Sequence, residues 1–160
     1  MEQEFQRVGL LGRREHPGVN QIVADLLALL DARGVDVVLE DRLATLSHFE
    51  KRAMQPRDAI GETVDLAIVI GGDGSLLSAA RTLVRHHTPV IGVNRGRLGF
   101  LTDVSPDELV AQVTAVLDGN YTRDSRFLLD TKVMRDGSVI GAAEALNDVV
   151  VNSGTSAQMI

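Results

Sequence analysis

The spacing of apolar residues predicts strands that alternate with helices from the amino terminus to Gly119. Apolar residues three and four positions apart form one helical face after Asn20, and Gly34 ends that helix. A later helix begins at Ser105-Pro106-Asp107-Glu108, where a serine cap, a proline and a glutamate form a capping box. Strands joined by helices in this order pair in parallel, with right-handed crossovers. The predicted strands are Val8–Leu11, Val35–Leu39, Leu66–Ile70 and Val90–Val93.

The pattern changes after Gly119, where helical spacing does not return. Phe127–Met134 and Ser138–Ile140 are predicted as strands joined by a tight turn at Asp136-Gly137, and Ala145–Val151 as a third strand. The change from alternating strands and helices to strands alone predicts a domain boundary in this part of the chain.

These elements predict an α/β fold with an open, mostly parallel sheet and flanking helices over residues 1–122. Residues 123–160 are predicted to be the beginning of an antiparallel β domain that is incomplete. Within the first domain, the segment from Glu40 to Glu62 is polar and weakly periodic, so it is predicted as loop with a short helix.

The apolar run Leu66–Ile70 stops at a glycine-rich loop, Gly71-Gly72-Asp73-Gly74-Ser75, which a helical pattern follows. Glycines there are expected to take positive φ and to let a ligand approach the backbone, while the amides at the start of the helix favour phosphate. A carboxylate among such amides is repelled by phosphate unless it holds a metal or accepts a proton from an attacking hydroxyl. Asp73 is therefore a candidate catalytic base. The alternative, an Asp-Gly turn between two strands, is disfavoured by the helical spacing downstream.

Composition and charge narrow the function classes. The chain has 160 residues, of which 44% are hydrophobic, so it can bury a core. It contains no cysteine, which excludes disulfides, thiolate catalysis and cysteine-based zinc sites. The formal charge of −6 argues against nucleic acid as a partner. No signal peptide or membrane-spanning run is apparent, so a cytoplasmic protein that does not bind membranes is expected. No metal site is predicted, because His86-His87 is interpreted as a helix end.

Three segments in order resemble the motifs of the ATP-NAD kinase family of bacterial type. They are the glycine-rich loop, Asn94–Thr102, and Ala145–Val151. The resemblance implies a kinase that transfers the terminal phosphate of ATP to the 2′-hydroxyl of the adenosine ribose of NAD, with Mg²⁺ or another divalent cation. Such kinases continue into a C-terminal domain with a Thr-Pro-Thr-Gly-Ser-type loop that does not occur here, so the chain resembles the N-terminal part of one.

The resemblance also implies roles for individual residues. Asp73 is implied as the base, and Phe100 as an apolar surface for the adenine. The other implied ligand contacts are the loop glycines and the amide or acidic side chains of the later motifs: Gly71, Gly72, Gly74, Asn94, Asn147 and Asp148. The rival interpretations are a core position for Phe100, a turn for Asn94, and solvent exposure for Asn147 and Asp148. Family members often carry a basic residue at the position of Gln158. Gln158 departs from this pattern, so the resemblance does not carry the ligand contact of that basic residue over to this chain.

Two alternative functions stay open from the sequence. One is a lipid or sugar kinase of the same superfamily, because the glycine-rich loop occurs in those kinases as well as in NAD kinases. The segment Asn94–Thr102 disfavours this alternative, because it resembles the NAD kinase motif. The other is a nucleotide-binding fragment that has no activity on its own. The predicted partners are small-molecule nucleotides, and strands without a pairing partner between Phe127 and Ile160 predict a homo-oligomer.

Overall fold

The computed structural model describes residues 4–12, 18–43, 52–95 and 99–151. The chain divides into two compact units, Met1–Thr122 and Arg123–Ile160. The first unit contains strands β1 to β5 and helices α1 to α4, and the second contains strands β6 and β7. The strands are β1 Arg7–Gly12, β2 Asp36–Glu40, β3 Ala53–Gln55, β4 Leu66–Ile70, β5 Val90–Val93, β6 Leu129–Arg135 and β7 Ser138–Ala145. The helices are α1 Val19–Ala32, α2 Arg57–Thr63, α3 Asp73–Leu83 and α4 Leu109–Leu117.

The sheet of the first unit has the strand order β3-β2-β1-β4-β5, and each neighbouring pair is parallel. This confirms the predicted open parallel sheet. The direction in which strands are added reverses between β1 and β4, which lie side by side with Gly12 opposite Ile70. Such a reversal leaves a crevice at the carboxyl ends of the two strands, where open α/β sheets bind ligands. Gly71 follows β4 directly, so the glycine-rich loop begins at this crevice.

Apolar side chains fill a layer on each face of the sheet. In β4, Leu66, Ile68 and Ile70 belong to the layer shared with α1 and α4, whereas Ala67 and Val69 belong to the layer shared with α2 and α3. Successive side chains of a strand point to opposite faces, so a strand covered on both sides is continuously apolar. The sheet is thereby held between two pairs of helices.

The helix boundaries follow the predicted end signals, with one difference at α4. Gly34, with φ 67°, lies just beyond the end of α1. Before α4, the residues Pro106–Glu108 form a 3₁₀ turn. The Ser105 hydroxyl donates to the Glu108 carboxylate at 3.2 Å, and the Glu108 N–H donates to the Ser105 carbonyl at 3.1 Å. The serine therefore bonds the glutamate side chain and does not cap the backbone as a capping box requires.

The segment from Glu40 to Glu62 contains more regular structure than predicted. The short helix occurs as α2, but β3 also lies here and pairs in parallel with β2, with Ala53 opposite Val38. The prediction of loop was wrong for β3 because a strand of three residues has no local periodicity to detect. Residues 44–51 of this segment lie outside the described ranges.

In the second unit, β6 and β7 form the predicted antiparallel hairpin. Its turn residues, Asp136 with φ 49° and Gly137 with φ 77°, have the left-handed backbone of a two-residue hairpin turn. The predicted third strand, Ala145–Val151, was wrong over its described length, since Ala145 ends β7 and no strand follows up to Val151. Leu129, the first residue of β6, pairs with Ala145, the last residue of β7. The residues after Ala145 therefore have no residue of β6 left to pair with.

Within the described ranges, no helix combines the length and the apolar character needed to cross a bilayer.

Candidate functional site

The candidate site lies where β4 gives way to α3, at the crevice between β1 and β4. Asp73 is the first residue of α3, and Gly72 precedes it as the helix cap. The amides of a first helical turn have no carbonyl four residues earlier to bond, so they can bind an anion. The Gly71 amide precedes the helix and donates to the Val93 carbonyl at 2.8 Å, and the Ser75 amide donates to the Gly72 carbonyl at 2.9 Å. The candidate amides for an anion are thus those between these two residues.

The Asp73 carboxylate is held by backbone donors from the loop after β5. Its Oδ2 accepts the N–H of Phe100 at 2.9 Å, and its Oδ1 accepts the N–H of Leu101 at 3.1 Å. The Thr102 hydroxyl lies 3.5 Å from Oδ1, at the limit of a hydrogen bond. An ionised carboxylate accepts through about four lone-pair positions, and the Thr102 N–H also acts on this one. The structure therefore joins the glycine-rich loop and the Asn94–Thr102 segment through one side chain.

These contacts also change the acidity of Asp73. The hydrogen bond from the Phe100 N–H holds the pKa of the Asp73 carboxyl below its usual value, and the Leu101 N–H acts in the same direction against partial desolvation. Since the pKa is lowered on folding, the contribution of these bonds to stability is present above the pKa of the unfolded chain. It is lost as the pH falls through the folded pKa. Asp73 is therefore a carboxylate at neutral pH.

Gly99 makes this arrangement possible. A Cβ at position 99 would overlap Oδ1 of Asp73, and it would lie 2.7 Å from Cγ of Asp73 and 2.9 Å from the Thr102 hydroxyl oxygen. Real Cβ atoms do not approach other atoms this closely, so any larger residue must displace the carboxylate or the loop. The glycine is required because the backbone passes directly over the carboxylate.

The glycine-rich loop differs from the prediction in its backbone conformation. Gly72 has φ −93°, and neither Gly71 nor Gly74 lies in the left-handed region, so the expectation of positive φ was wrong. Gly71 is needed for another reason, because a Cβ there would overlap the Ser75 hydroxyl and lie 2.5 Å from the Ser75 Cβ. At Gly72 and Gly74 a Cβ meets no atom within 4 Å. Their role in admitting a ligand stays a prediction.

The other predicted ligand residues are distributed over both units. Phe100 is 97% exposed, which excludes the core position offered as its rival interpretation. Asn94 is buried after β5, and its N–H donates to the Val104 carbonyl at 2.9 Å. Asn147 and Asp148 are exposed in the second unit and are not among the residues that the first unit assembles around Asp73. Gln158 lies outside the described residues.

Sequence reasoning assigned no role to Gly99, Leu101 or Thr102, although all three contact or crowd Asp73. A glycine before Phe100 is a local signal of close backbone approach. Nothing local indicates that the approaching group is a carboxylate 26 residues earlier in the chain. The backbone donors carry no sequence signal, since every residue except proline has an N–H.

Metal sites and cavities elsewhere do not compete with this site. In the part of the chain that the structure describes, no group of three or more acidic or histidine side chains could hold a metal ion. A cavity of about 420 Å³ lies at the amino ends of β1, β2 and β3, at the opposite edge of the sheet from Asp73. Its lining includes both signs of charge, and Arg52 there is ion-paired with Asp31, so it is a poor site for an anion.

Comparisons with known proteins show the family to which this fold belongs. Residues 8–121 match the family described as ATP-NAD kinase N-terminal domain. The chain is 49% identical over 160 residues to the NAD kinase of Chromohalobacter salexigens, covering 99% of this chain and 54% of that protein. It is 47% identical over 158 residues to the NAD kinase of Pseudomonas fluorescens strain SBW25, covering 99% of this chain and 53% of that protein. The chain spans about half the length of the curated relatives it matches.

A solved structure shares the fold. The crystal structure of yeast NADH kinase complexed with NADH superposes with a TM-score of 0.78, covering 97% of this chain and 50% of that chain. The two sequences are 19% identical, so this likeness supports the fold and no detail of the site.

Proposed function

Since the chain belongs to the ATP-NAD kinase family through its N-terminal domain, we propose that it forms the N-terminal part of an NAD kinase. The reaction is transfer of the terminal phosphate of ATP to the 2′-hydroxyl of the adenosine ribose of NAD, which gives NADP. The observation that carries the proposal is the Asp73 carboxylate, fixed at the start of α3 by the backbone amides of Phe100 and Leu101. It places an ionised acceptor where open α/β sheets bind ligands.

Asp73 acts as the acceptor for the proton of the attacking hydroxyl. Phosphoryl transfer passes through a loose transition state with little bond formation to the nucleophile, so holding the hydroxyl in line matters more than an early proton transfer. A carboxylate whose pKa is lowered suits this role, because it stays ionised and can orient the hydroxyl through a hydrogen bond. The proton moves to Asp73 as the hydroxyl oxygen bonds to phosphorus and the bond to the ADP oxygen breaks.

The start of α3 supplies the charge compensation that the phosphates need. Backbone amides at a helix start and the positive end of the helix dipole favour phosphate oxygens. Gly72 and Gly74 leave open space beside these amides, since a Cβ at either position meets no atom within 4 Å. The proposed role of these glycines is to admit the phosphates to the backbone.

Four further residues are proposed to contact the dinucleotide. Phe100 offers an exposed aromatic face for the adenine. Asn94, Asn147 and Asp148 supply amide and carboxylate groups for ribose and amide hydrogen bonds. Solvent exposure of Asn147 and Asp148 is compatible with this role and with their rival interpretation as surface residues.

A divalent cation, proposed to be Mg²⁺, enters with ATP. Mg²⁺ keeps several waters and commonly binds through substrate phosphates with one or two carboxylates. The described residues around Asp73 form no three-member acidic cluster, which fits a cation held chiefly by the nucleotide. When bound, the cation neutralises charge on the phosphate oxygens.

The proposal is tested with the protein as its gene encodes it and, separately, with residues 1–160. NADP formation is followed with an NADP-specific dehydrogenase, beside parallel assays with diacylglycerol and fructose 6-phosphate as acceptors. We expect the encoded protein to phosphorylate NAD and neither other acceptor. Phosphorylation of the lipid or the sugar without NAD would instead favour the alternative kinase of the same superfamily.

Residues 1–160 alone are expected to show negligible NAD phosphorylation, because they span about half of the matched relatives. That outcome, with a folded protein by circular dichroism, corresponds to the second alternative, a nucleotide-binding fragment without activity. Robust turnover by residues 1–160 would contradict the proposed need for a second domain.

We also propose that the protein works in the cytoplasm as a homo-oligomer. The described part of the second unit is a two-stranded hairpin, which is marginally stable alone. Its apolar side chains at Val133, Met134, Val139 and Ile140 are each more than half exposed. A second subunit that covers them would bury apolar surface. Light scattering at high concentration is expected to give the mass of an oligomer, and a monomer mass would count against it.

A further inference from the structure

A buried acidic side chain lies at the same edge of the sheet as the candidate site. Glu40, the last residue of β2, is 0% exposed. Its Oε2 accepts the N–H of Gly12, the last residue of β1, at 2.9 Å. An uncompensated buried carboxylate is strongly unfavourable, so Glu40 requires a cation and hydrogen bonds.

Arg57 supplies that cation in a two-pronged geometry. Its Nε donates to Oε1 of Glu40 at 2.8 Å and its Nη2 donates to Oε2 at 2.9 Å. The planar guanidinium matches a carboxylate in this way, which a lysine cannot do. Arg57 is the first residue of α2, so the pair ties the start of this helix to the end of β2.

The remaining prong of Arg57 reaches α3. Its Nη1 donates to the Ser78 hydroxyl at 2.8 Å. Ser78 lies five residues after Asp73 in the same helix, which is about 7.5 Å along the helix axis. A continuous set of hydrogen bonds, which we call the Glu40–Arg57–Ser78 network, therefore connects the end of β2 with the helix that carries Asp73.

The network has no evident place in ligand binding. In doubly wound sheets an acidic residue near the end of the second strand often binds a ribose. Here both carboxylate oxygens of Glu40 are bonded within the protein and the side chain is inaccessible to solvent. We propose that Glu40, Arg57 and Ser78 are positioning residues that hold α3 in the place where the Asp73 carboxylate meets the amides of Phe100 and Leu101.

The physical reason is the precision that the Asp73 contacts demand. A helix moves as a rigid body over a few residues, so a shift at Ser78 is transmitted to Asp73. The bonds to Phe100 and Leu101 have donor-acceptor distances of 2.9 and 3.1 Å, and displacement of the carboxylate by about 1 Å breaks them. Misplacement of a reacting group by about 1 Å can cost about a hundredfold in rate.

The first test is amide hydrogen exchange of Phe100 and Leu101 in the encoded protein, which needs no enzymatic activity. Ser78→Ala removes the bond from Arg57 but leaves the buried Glu40–Arg57 pair intact. We expect exchange at Phe100 and Leu101 to rise about threefold to tenfold, as for loss of one hydrogen bond. Alanine favours helix more than serine does, so the increase does not come from a weaker α3.

Thr82→Ala is the matched control. Thr82 lies one turn later in α3, and its hydroxyl bonds the Ser78 and Ala79 carbonyls of the same helix. This substitution also removes a helix hydroxyl but none that bonds Arg57, so exchange at Phe100 and Leu101 should match the parent. Ser78→Thr keeps the hydroxyl and should restore parental exchange. Equal exchange in Ser78→Ala and the parent, or an equal increase in Thr82→Ala, would overturn the proposal.

The second test is kinetic and rests on the proposed kinase function. Ser78→Ala and Arg57→Lys are expected to lower kcat about threefold to tenfold with KM for NAD within about twofold, as displacement of Asp73 predicts. Parental kcat in both variants would overturn the positioning role. If the parent itself does not phosphorylate NAD, the proposed function fails, while the exchange result still decides whether the network positions Asp73.

Discussion

Gly99→Ala is expected to lower kcat of the encoded protein by about two orders of magnitude or more. The added methyl overlaps Oδ1 of Asp73, and it would lie 2.9 Å from the Thr102 hydroxyl oxygen, which faces the same carboxylate. Neither group can yield without loss of the bonds that Phe100 and Leu101 donate to Asp73. The carboxylate is thus displaced from the place where it would hold the attacking hydroxyl, and errors of about 1 Å there are costly.

The measurement is kcat for NAD phosphorylation, with a ¹H–¹⁵N spectrum to show that the variant is folded. Gly141→Ala is the control, since a Cβ at that position lies 3.9 Å from its nearest neighbour, the Val133 Cβ, which is an ordinary contact. We expect Gly141→Ala to keep kcat within about twofold of the parent. A folded Gly99→Ala enzyme with kcat within about threefold of the parent would contradict the proposed close fit between position 99 and Asp73.

The parts of the fold that were predictable are those with a local signal. Leu66–Ile70 is continuously apolar because the sheet is covered on both faces, and such a run is visible without any structure. The turn at Asp136-Gly137 was equally clear, because left-handed backbone in a two-residue loop selects these residue types. Elements that depend on a distant partner were missed. Strand β3 exists through its pairing with β2, and its sequence, Ala53-Met54-Gln55, gives no alternation to detect.

In the candidate site too, residues with a local sequence signal were predicted and contacts with distant partners were not. Asp73 was predicted because a carboxylate in a glycine-rich loop after a strand requires a chemical explanation. The hydrogen bonds that Phe100 and Leu101 donate to Asp73 span 27 and 28 residues of sequence and come from backbone amides. The residue types therefore do not predict these bonds. Glu40 looks like the polar end of a strand, yet Arg57, 17 residues later, buries and neutralises it. The backbone conformation of the glycine-rich loop was mispredicted because close packing, not positive φ, requires Gly71.

Asp73→Asn is expected to lower kcat by about two to four orders of magnitude while changing the Kd for NAD much less. Asparagine keeps the size of the side chain but cannot accept a proton from the hydroxyl. One of its two terminal atoms is a donor, so it also loses one of the two backbone bonds from Phe100 and Leu101. The loop contact is therefore weakened together with the chemistry.

Thr102→Val separates these two effects. It removes the hydroxyl that lies 3.5 Å from Oδ1 of Asp73 and keeps the carboxylate. If the main loss in Asp73→Asn comes from the chemistry, Thr102→Val should lower kcat only about threefold to tenfold, as for a weak hydrogen bond. A loss in Thr102→Val as large as that in Asp73→Asn would assign the effect to loop structure.

The most direct test of Asp73 as the proton acceptor is the pair of kcat and Kd for NAD, measured on Asp73→Asn and on the parent under the same conditions. The structure and the proposed reaction predict a kcat reduced at least about a hundredfold with a Kd within about threefold of the parent. A turnover rate near that of the parent would contradict the proposed role and remove Asp73 from the chemistry.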